Sequence, residues 1–228
     1  MMPHLMKPLA ILLISIGALA ASSMAAPAKG GWLSTITVTD KGAHIIGNPS
    51  APNKVVEYLS YTCSHCANFE LKESPLFKAQ FVATGKASLE IRNMLLNPID
   101  LTAAMLARCG GKAKFFGNQK HLFATQSTWL GQTKNISENT QTQLKNQNFA
   151  GFMTGVYDEI GLAPIMQQRG ITPVQAKKCL ADKDALKVIL AMTESGAAAG
   201  VNGTPTFFVN GELQDHIHSV DDLKSKLK

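Results

Sequence analysis

Val55-Val56-Glu57-Tyr58-Leu59-Ser60-Tyr61-Thr62-Cys63-Ser64-His65-Cys66 is the stretch that decides the fold. Its first seven residues are compact and mostly apolar, as in a strand central to a sheet. That strand runs straight into a C-x-x-C motif. A helical pattern follows, with Phe69, Leu71, Leu76, Phe77, Phe81 and Val82 apolar. Pro75 is expected to kink or restart this helix, with Ser74 capping the second piece. Ala87 to Leu95 alternates enough to form a second, parallel strand, which completes a β-α-β unit.

Upstream, Thr35 to Thr39 reads as a first strand, and Gly47 to Pro52 as loop. Downstream, Asn97 to Gly200 contains no convincing strand. Leu101 to Ala107 is a helix stopped by Gly110-Gly111, and another runs from Lys112 to about Thr125. Asn135 to Asn148, rich in Asn, Gln and Thr, reads as an exposed connector that can hold a polar helix. Thr172-Pro173 starts a further helix, and Asp184 to Ala199 is a long, Ala-rich one. Strand signals return at Thr204 to Val209, followed by the hairpin dipeptide Asn210-Gly211. Ser219 to Asp222 opens a terminal helix in the style of a capping box. The order predicts an α/β sheet with an all-helical lobe inserted into it.

A lone C-x-x-C is either half a zinc site or a redox dithiol. A zinc site needs a second ligand pair. Cys109 and Cys179 stand alone, and His216 and His218 fall in a polar hairpin-to-helix corner. The redox reading has the better context. A cysteine between a strand and a helix faces free backbone N–H groups, which stabilise the thiolate that performs exchange. Cys66, one turn further in, closes the ring and is expected to be the more buried. His65 between them adds a donor that favours the thiolate.

Composition sets the outer limits. The 228 residues are 45% hydrophobic and 17% charged, which excludes a disordered chain. Four cysteines are too few for a disulfide scaffold. The net charge of +6 comes from scattered lysines rather than a basic stripe, which argues against a nucleic-acid partner. Lys7, the apolar run Leu9 to Ala21 and the small residues around Ala25 and Ala26 read as a cleavable leader over residues 1–26. The mature chain is therefore expected in the periplasm, an oxidising compartment where disulfides persist.

The strand ending in Tyr61-Thr62, the Cys63-Ser64-His65-Cys66 motif and Val201-Asn202-Gly203-Thr204-Pro205-Thr206-Phe207-Phe208-Val209-Asn210-Gly211 together resemble the DsbA-like branch of the thioredoxin superfamily. The resemblance covers nearly the whole chain after the leader. It implies a thioredoxin fold in two parts, residues 27–96 and 201–228, around a helical insertion at 97–200. It also implies that Pro205 forms a cis peptide opposite the dithiol, and that Thr204 pairs by its backbone with a substrate peptide. Glu57, six residues before Cys63, occupies the place of the family's buried acid, which exchanges protons with Cys66. A solvated glutamate at a strand edge is the alternative. Ser64 departs from the Pro-His common in DsbA oxidases, so a strongly oxidising potential is not implied.

With Cys63 paired to Cys66, Cys109 and Cys179 are left as partners within the insertion. Some DsbA-like proteins have a second disulfide there, and two buried free thiols are the other outcome. Phe115, Phe116, Phe123, Trp129 and Phe152 are expected to pack the insertion's core, and some to line a peptide groove. The expected function is a dithiol oxidase, attacked at Cys63 by cysteine-containing exported proteins and reoxidised by a DsbB-type membrane partner, without cofactor or metal. Too few residues precede the first strand for an oligomerisation domain, so a monomer is expected. A reductase or isomerase, or a copper-binding chaperone using Cys63, His65 and Cys66, stays open.

Overall fold

The computed structural model describes residues 31–228, so the leader expected over residues 1–26 lies outside the described residues. A six-stranded sheet forms the centre. The strands are β1 (Ile36–Val38), β2 (His44–Gly47), β3 (Asn53–Leu59), β4 (Ala87–Asn93), β5 (Thr206–Val209) and β6 (Glu212–Gln214). Their order is β1-β2-β4-β3-β5-β6. Only β3 and β4 run parallel, as the β-α-β reading requires. The apolar stretch ahead of the cysteines is thus flanked by a strand on each side.

Strand β2 has no counterpart in the sequence reading. It is four residues long, carries His44 and ends on Gly47, so its propensity signal is weak. Tertiary pairing makes it a strand, between β1 and β4. His44 is buried and stacks on Phe115 with ring centroids 3.7 Å apart. Burial, reinforced by the nearby Arg108 guanidinium, pushes its pKa down to about 3, so the ring stays neutral.

Between β3 and β4 the chain stays helical from Ser64 to Val82. Helix α1 (Ser64–Asn68) passes through a π turn at Phe69–Glu73 into α2 (Ser74–Phe77), and a second π turn covers Lys78–Val82. Here the expectation needs correction. Ser74 does not cap a restarted helix, and its hydroxyl is buried without a partner. Pro75 has no N–H to give, but the wide turn ahead of it, with Ser74 N–H bonded to Phe69 O, carries the chain past the ring without a break.

Eight helices lie between β4 and β5: α3 (Pro98–Arg108), α4 (Lys112–Ala124), α5 (Gln126–Leu130), α6 (Glu138–Lys145), α7 (Phe149–Glu159), α8 (Leu162–Gln168), α9 (Pro173–Leu180) and α10 (Lys183–Ala198). Thr172 caps α9 in a full capping box with Gln175. The aromatic residues Phe115, Phe116, Phe123, Trp129 and Phe152 are all buried in a core continuous with that of the sheet. None is left over to line a groove. Cys109, just after α3, is bridged to Cys179 of α9, with Cα atoms 5.7 Å apart. After the helices, Asn210 and Gly211 take positive φ values of 54° and 89°, the backbone of a tight hairpin turn between β5 and β6. Helix α11 (Val220–Ser225) starts in a capping box made by Ser219 and Asp222.

The bridge closes 70 residues of chain. In the chain-entropy model this restricts the unfolded state by about 4 kcal/mol. Replacing both Cys109 and Cys179 by Ala is expected to lower stability by about 2–4 kcal/mol in urea melts. A loss below about 1 kcal/mol would show that packing alone holds the lobe.

Candidate active site

Strand β3 ends at Leu59, and the next four residues turn the chain into α1. Polar side chains fix that turn. Ser60 Oγ accepts from Thr62 N at 3.1 Å, and Asn97 Nδ2 donates to Thr62 Oγ1 at 2.8 Å. Asp100, buried in the first turn of α3, accepts from Tyr61 N at 2.7 Å and from Leu96 N at 3.1 Å. Burial raises its pKa to about 6, against these hydrogen bonds, which pull it down.

Cys63 is the N-cap of α1, with extended φ and ψ of −86° and 120°. Its Sγ accepts from Cys66 N at 3.3 Å. On its other side lies the loop before β5, where the Thr204–Pro205 peptide is cis. Cys63 Sγ lies 3.1 Å from the Thr204 carbonyl, which accepts the thiol proton. The Thr204 hydroxyl is buried without a hydrogen-bond partner. The register puts these groups together: Tyr58 pairs with Thr206, so the loop before Thr206 faces the turn after β3.

The two sulfurs have opposite electrostatics. A hydrogen bond from the Cys66 thiol, then the nearby Thr204 side chain and the backbone N–H groups of Cys66 and His65, hold Cys63 down to about 5, although partial burial works against them. Cys66 is 0% exposed, and burial pushes its thiol well above the ordinary range. Both thiols are free in this structure. The His65 ring makes no hydrogen bond among the described residues. What reaches Cys63 from His65 is its backbone N–H.

Glu57 points into the interior with both carboxylate oxygens buried and unpartnered. Burial first, then the neighbouring Glu70 carboxylate, raises its pKa to about 8. A solvated strand edge is therefore not its environment. Glu70 is itself buried and paired: Lys78 Nζ donates to it at 3.0 Å and Gln119 Nε2 at 3.1 Å. Sequence reasoning missed Glu70, Lys78, Gln119 and Asp100. Only Asp100 had a local signal, because Asn97-x-x-Asp100 is a capping pattern and Asn97 Oδ1 does accept from Asp100 N.

A polar cavity of about 310 Å³ adjoins the cis peptide, lined by Thr204, Pro205, Gln214, His216 and His218 among others. This is where the two corner histidines lie. Among the described residues no group of three or more His, Cys, Asp or Glu side chains is arranged to hold a metal ion.

An acid whose pKa is lowered by folding adds stability that is complete above its unfolded pKa and is lost as pH falls through the folded one. The window for Cys63 runs from about 9 down to about 5. The oxidised pair has no thiol to titrate, while Glu57 and Asp100 are present in both forms. The stability of the reduced protein relative to the oxidised one is therefore expected to rise as pH goes from about 5 to about 9. Paired urea melts check this, and a gap independent of pH would mean that Cys63 is an ordinary thiol.

A family model described as thioredoxin matches residues 39–228. A protein of Rickettsia conorii that carries the name protein-disulfide oxidoreductase is 31% identical over 189 residues, 82% of this chain and 59% of the relative. One of Rickettsia typhi with the same name is 32% identical over 187 residues, 81% of this chain and 60% of its own. The chain thus spans about three fifths of the length of these curated relatives. Among solved structures, a protein-disulfide isomerase from Novosphingobium aromaticivorans aligns with a TM-score of 0.74 at 30% identity, over 81% of this chain and 94% of that one. Wolbachia pipientis alpha-DsbA1 shares the fold, with a TM-score of 0.65 at 22% identity over 83% and 90% of the two chains. The chain belongs to the thioredoxin family, and its inserted helical lobe gives it the fold of the DsbA-like proteins.

Proposed function

We propose that this protein is an exported thiol–disulfide oxidoreductase that oxidises cysteine-containing proteins through Cys63. The observation that carries this reading is the contrast between the two sulfurs. Cys63 sits beside Thr204 with its thiolate favoured, while Cys66 is sealed behind it with its thiolate disfavoured.

The exchange begins from the Cys63–Cys66 disulfide. A substrate thiolate attacks Cys63 Sγ, a new S–S bond forms, and the Cys63–Cys66 bond breaks. Cys66 leaves with the electron pair and needs a proton, because burial disfavours its charge. Glu57, kept protonated near neutral pH by the same interior, is the donor in this proposal. A second substrate thiolate then attacks the substrate sulfur of the mixed disulfide. Cys63 departs as a thiolate, and a thiol of low pKa is the better leaving group. The substrate has lost two electrons, and Cys63 and Cys66 hold them as a dithiol. The Thr204 carbonyl, no longer bonded to the thiol proton, can accept an N–H of the substrate backbone. Neither an organic cofactor nor a metal enters these steps.

The turnover needs an electron acceptor, for which a DsbB-type membrane partner is proposed. Export rests on the leader-like residues 1–26, which would place a monomeric enzyme in the periplasm. An isomerase direction is the second reading, favoured by the name of the Novosphingobium relative. Both directions pass through a mixed disulfide at Cys63.

Cys66→Ala cannot form the Cys63–Cys66 disulfide. Its Cys63 thiolate can still attack a disulfide of an exported protein and expel one of that protein's thiolates, the second step run in reverse. The variant lacks the Cys66 thiol that would release the mixed disulfide from the enzyme side. In cells it is expected to accumulate mixed disulfides with exported proteins that a reductant releases, whereas Cys63→Ala forms none. Absence of such species from Cys66→Ala would overturn the assignment of Cys63.

A further inference from the structure

The helical insertion reaches the active-site turn through one side chain that the exchange steps do not use. Gln126, the first residue of α5, is 7% exposed. Its amide nitrogen donates both hydrogens to backbone carbonyls, to Tyr61 O at 2.8 Å and to Cys63 O at 2.9 Å. Cys63 O also accepts from Ala67 N at 3.2 Å. Two donors from different elements therefore fix the plane of the Cys63–Ser64 peptide. Tyr61 is held at both ends, by Gln126 at its carbonyl and by Asp100 at its N–H.

This matters because the peptide plane controls where the sulfur sits. Cys66 N reaches Cys63 Sγ at 3.3 Å. A small rotation at Cys63 would carry the sulfur out of reach of that N–H and of Thr204. Thr204 is fixed independently, by the pairing of β5 with β3.

We propose that Gln126 is a positioning residue for the exchange: by holding the Tyr61 and Cys63 carbonyls it keeps Cys63 Sγ between the Cys66 N–H and Thr204, where it is the reactive sulfur. The inference rests on Cys63 being the sulfur that forms the mixed disulfide. It assigns to the inserted lobe a direct part in the chemistry of the sheet domain.

The test is the pH profile of Cys63 alkylation by iodoacetamide in the reduced full chain, with Gln126→Met, which keeps the side-chain length and removes both donors. The titratable groups around the turn, Glu57 on β3, Cys66 on α1, Glu70 on the π turn after it and Asp100 on α3, are unchanged in this variant. The alkylation midpoint is expected to rise by about one pH unit, which cuts the rate near the parent midpoint about five-fold. The equilibrium with glutathione is expected to shift about tenfold toward the disulfide, a potential about 30 mV more negative. Asn118→Ala is the control. Asn118 is also buried in the lobe, and it bonds Ala107 O and Cys109 O rather than a carbonyl of the active-site turn. It is expected to lower the melting temperature and leave the midpoint where it was.

A parent with a depressed midpoint that Gln126→Met does not move overturns the inference and leaves Cys63 as the exchanging sulfur. A parent with an ordinary thiol midpoint overturns both. An equal shift in Asn118→Ala also overturns the inference, because general loosening then explains it. Should Gln126→Met fail to fold, Gln126→Leu serves. It removes both donors without adding a charge, so the midpoint is expected to rise as far, and an unmoved midpoint overturns the inference.

Discussion

The short reach from Cys66 N to Cys63 Sγ is the contact around which the rest of the molecule is arranged. It exists because a central strand delivers the chain to a helix start at Cys63. Backbone N–H groups at that point have no carbonyl of their own to bond. Each neighbouring element then narrows the geometry. Helix α3 supplies Asp100 and its cap Asn97, α5 supplies Gln126, and β5 brings Thr204 to the open side of the sulfur. The sheet sets where the sulfur is, and the lobe sets how it is held.

The interior beneath the dithiol is more polar than stability alone would select. Glu57 is buried without a partner, and Glu70 beside it is buried with two. An unpaired buried carboxyl is costly unless it is neutral. The raised pKa of Glu57 shows that it meets this condition over much of the neutral range. Such a group holds a proton where a buried thiolate would need one, which is the role proposed for it. Lys78, partly exposed, ties Glu70 to the surface and offsets part of the repulsion between the two acids.

What could be read in the sequence was local. The strand from Val55, the C-x-x-C, the helix starts at Thr172 and Ser219 and the Asn210-Gly211 turn each carry their signal within a few residues. What could not be read depended on partners far along the chain. His44 joins a strand because β1 and β4 flank it. Gln126 is one of many polar residues in the insertion, and nothing local marks it as the one that meets Cys63, 63 residues away. Ser74 looked like a cap because Pro75 followed it, but a π turn resolved the proline differently. The effect expected from the His65 ring reaches Cys63 as a backbone N–H, which any residue there but proline would supply.

The central claim is that the fold stabilises the Cys63 thiolate and so favours the reduced dithiol. The reduction potential of the Cys63–Cys66 pair, measured against glutathione at neutral pH, tests this most directly. A stabilised Cys63 thiolate gives a value clearly more oxidising than the about −270 mV of thioredoxin. A value at or below about −270 mV would contradict it.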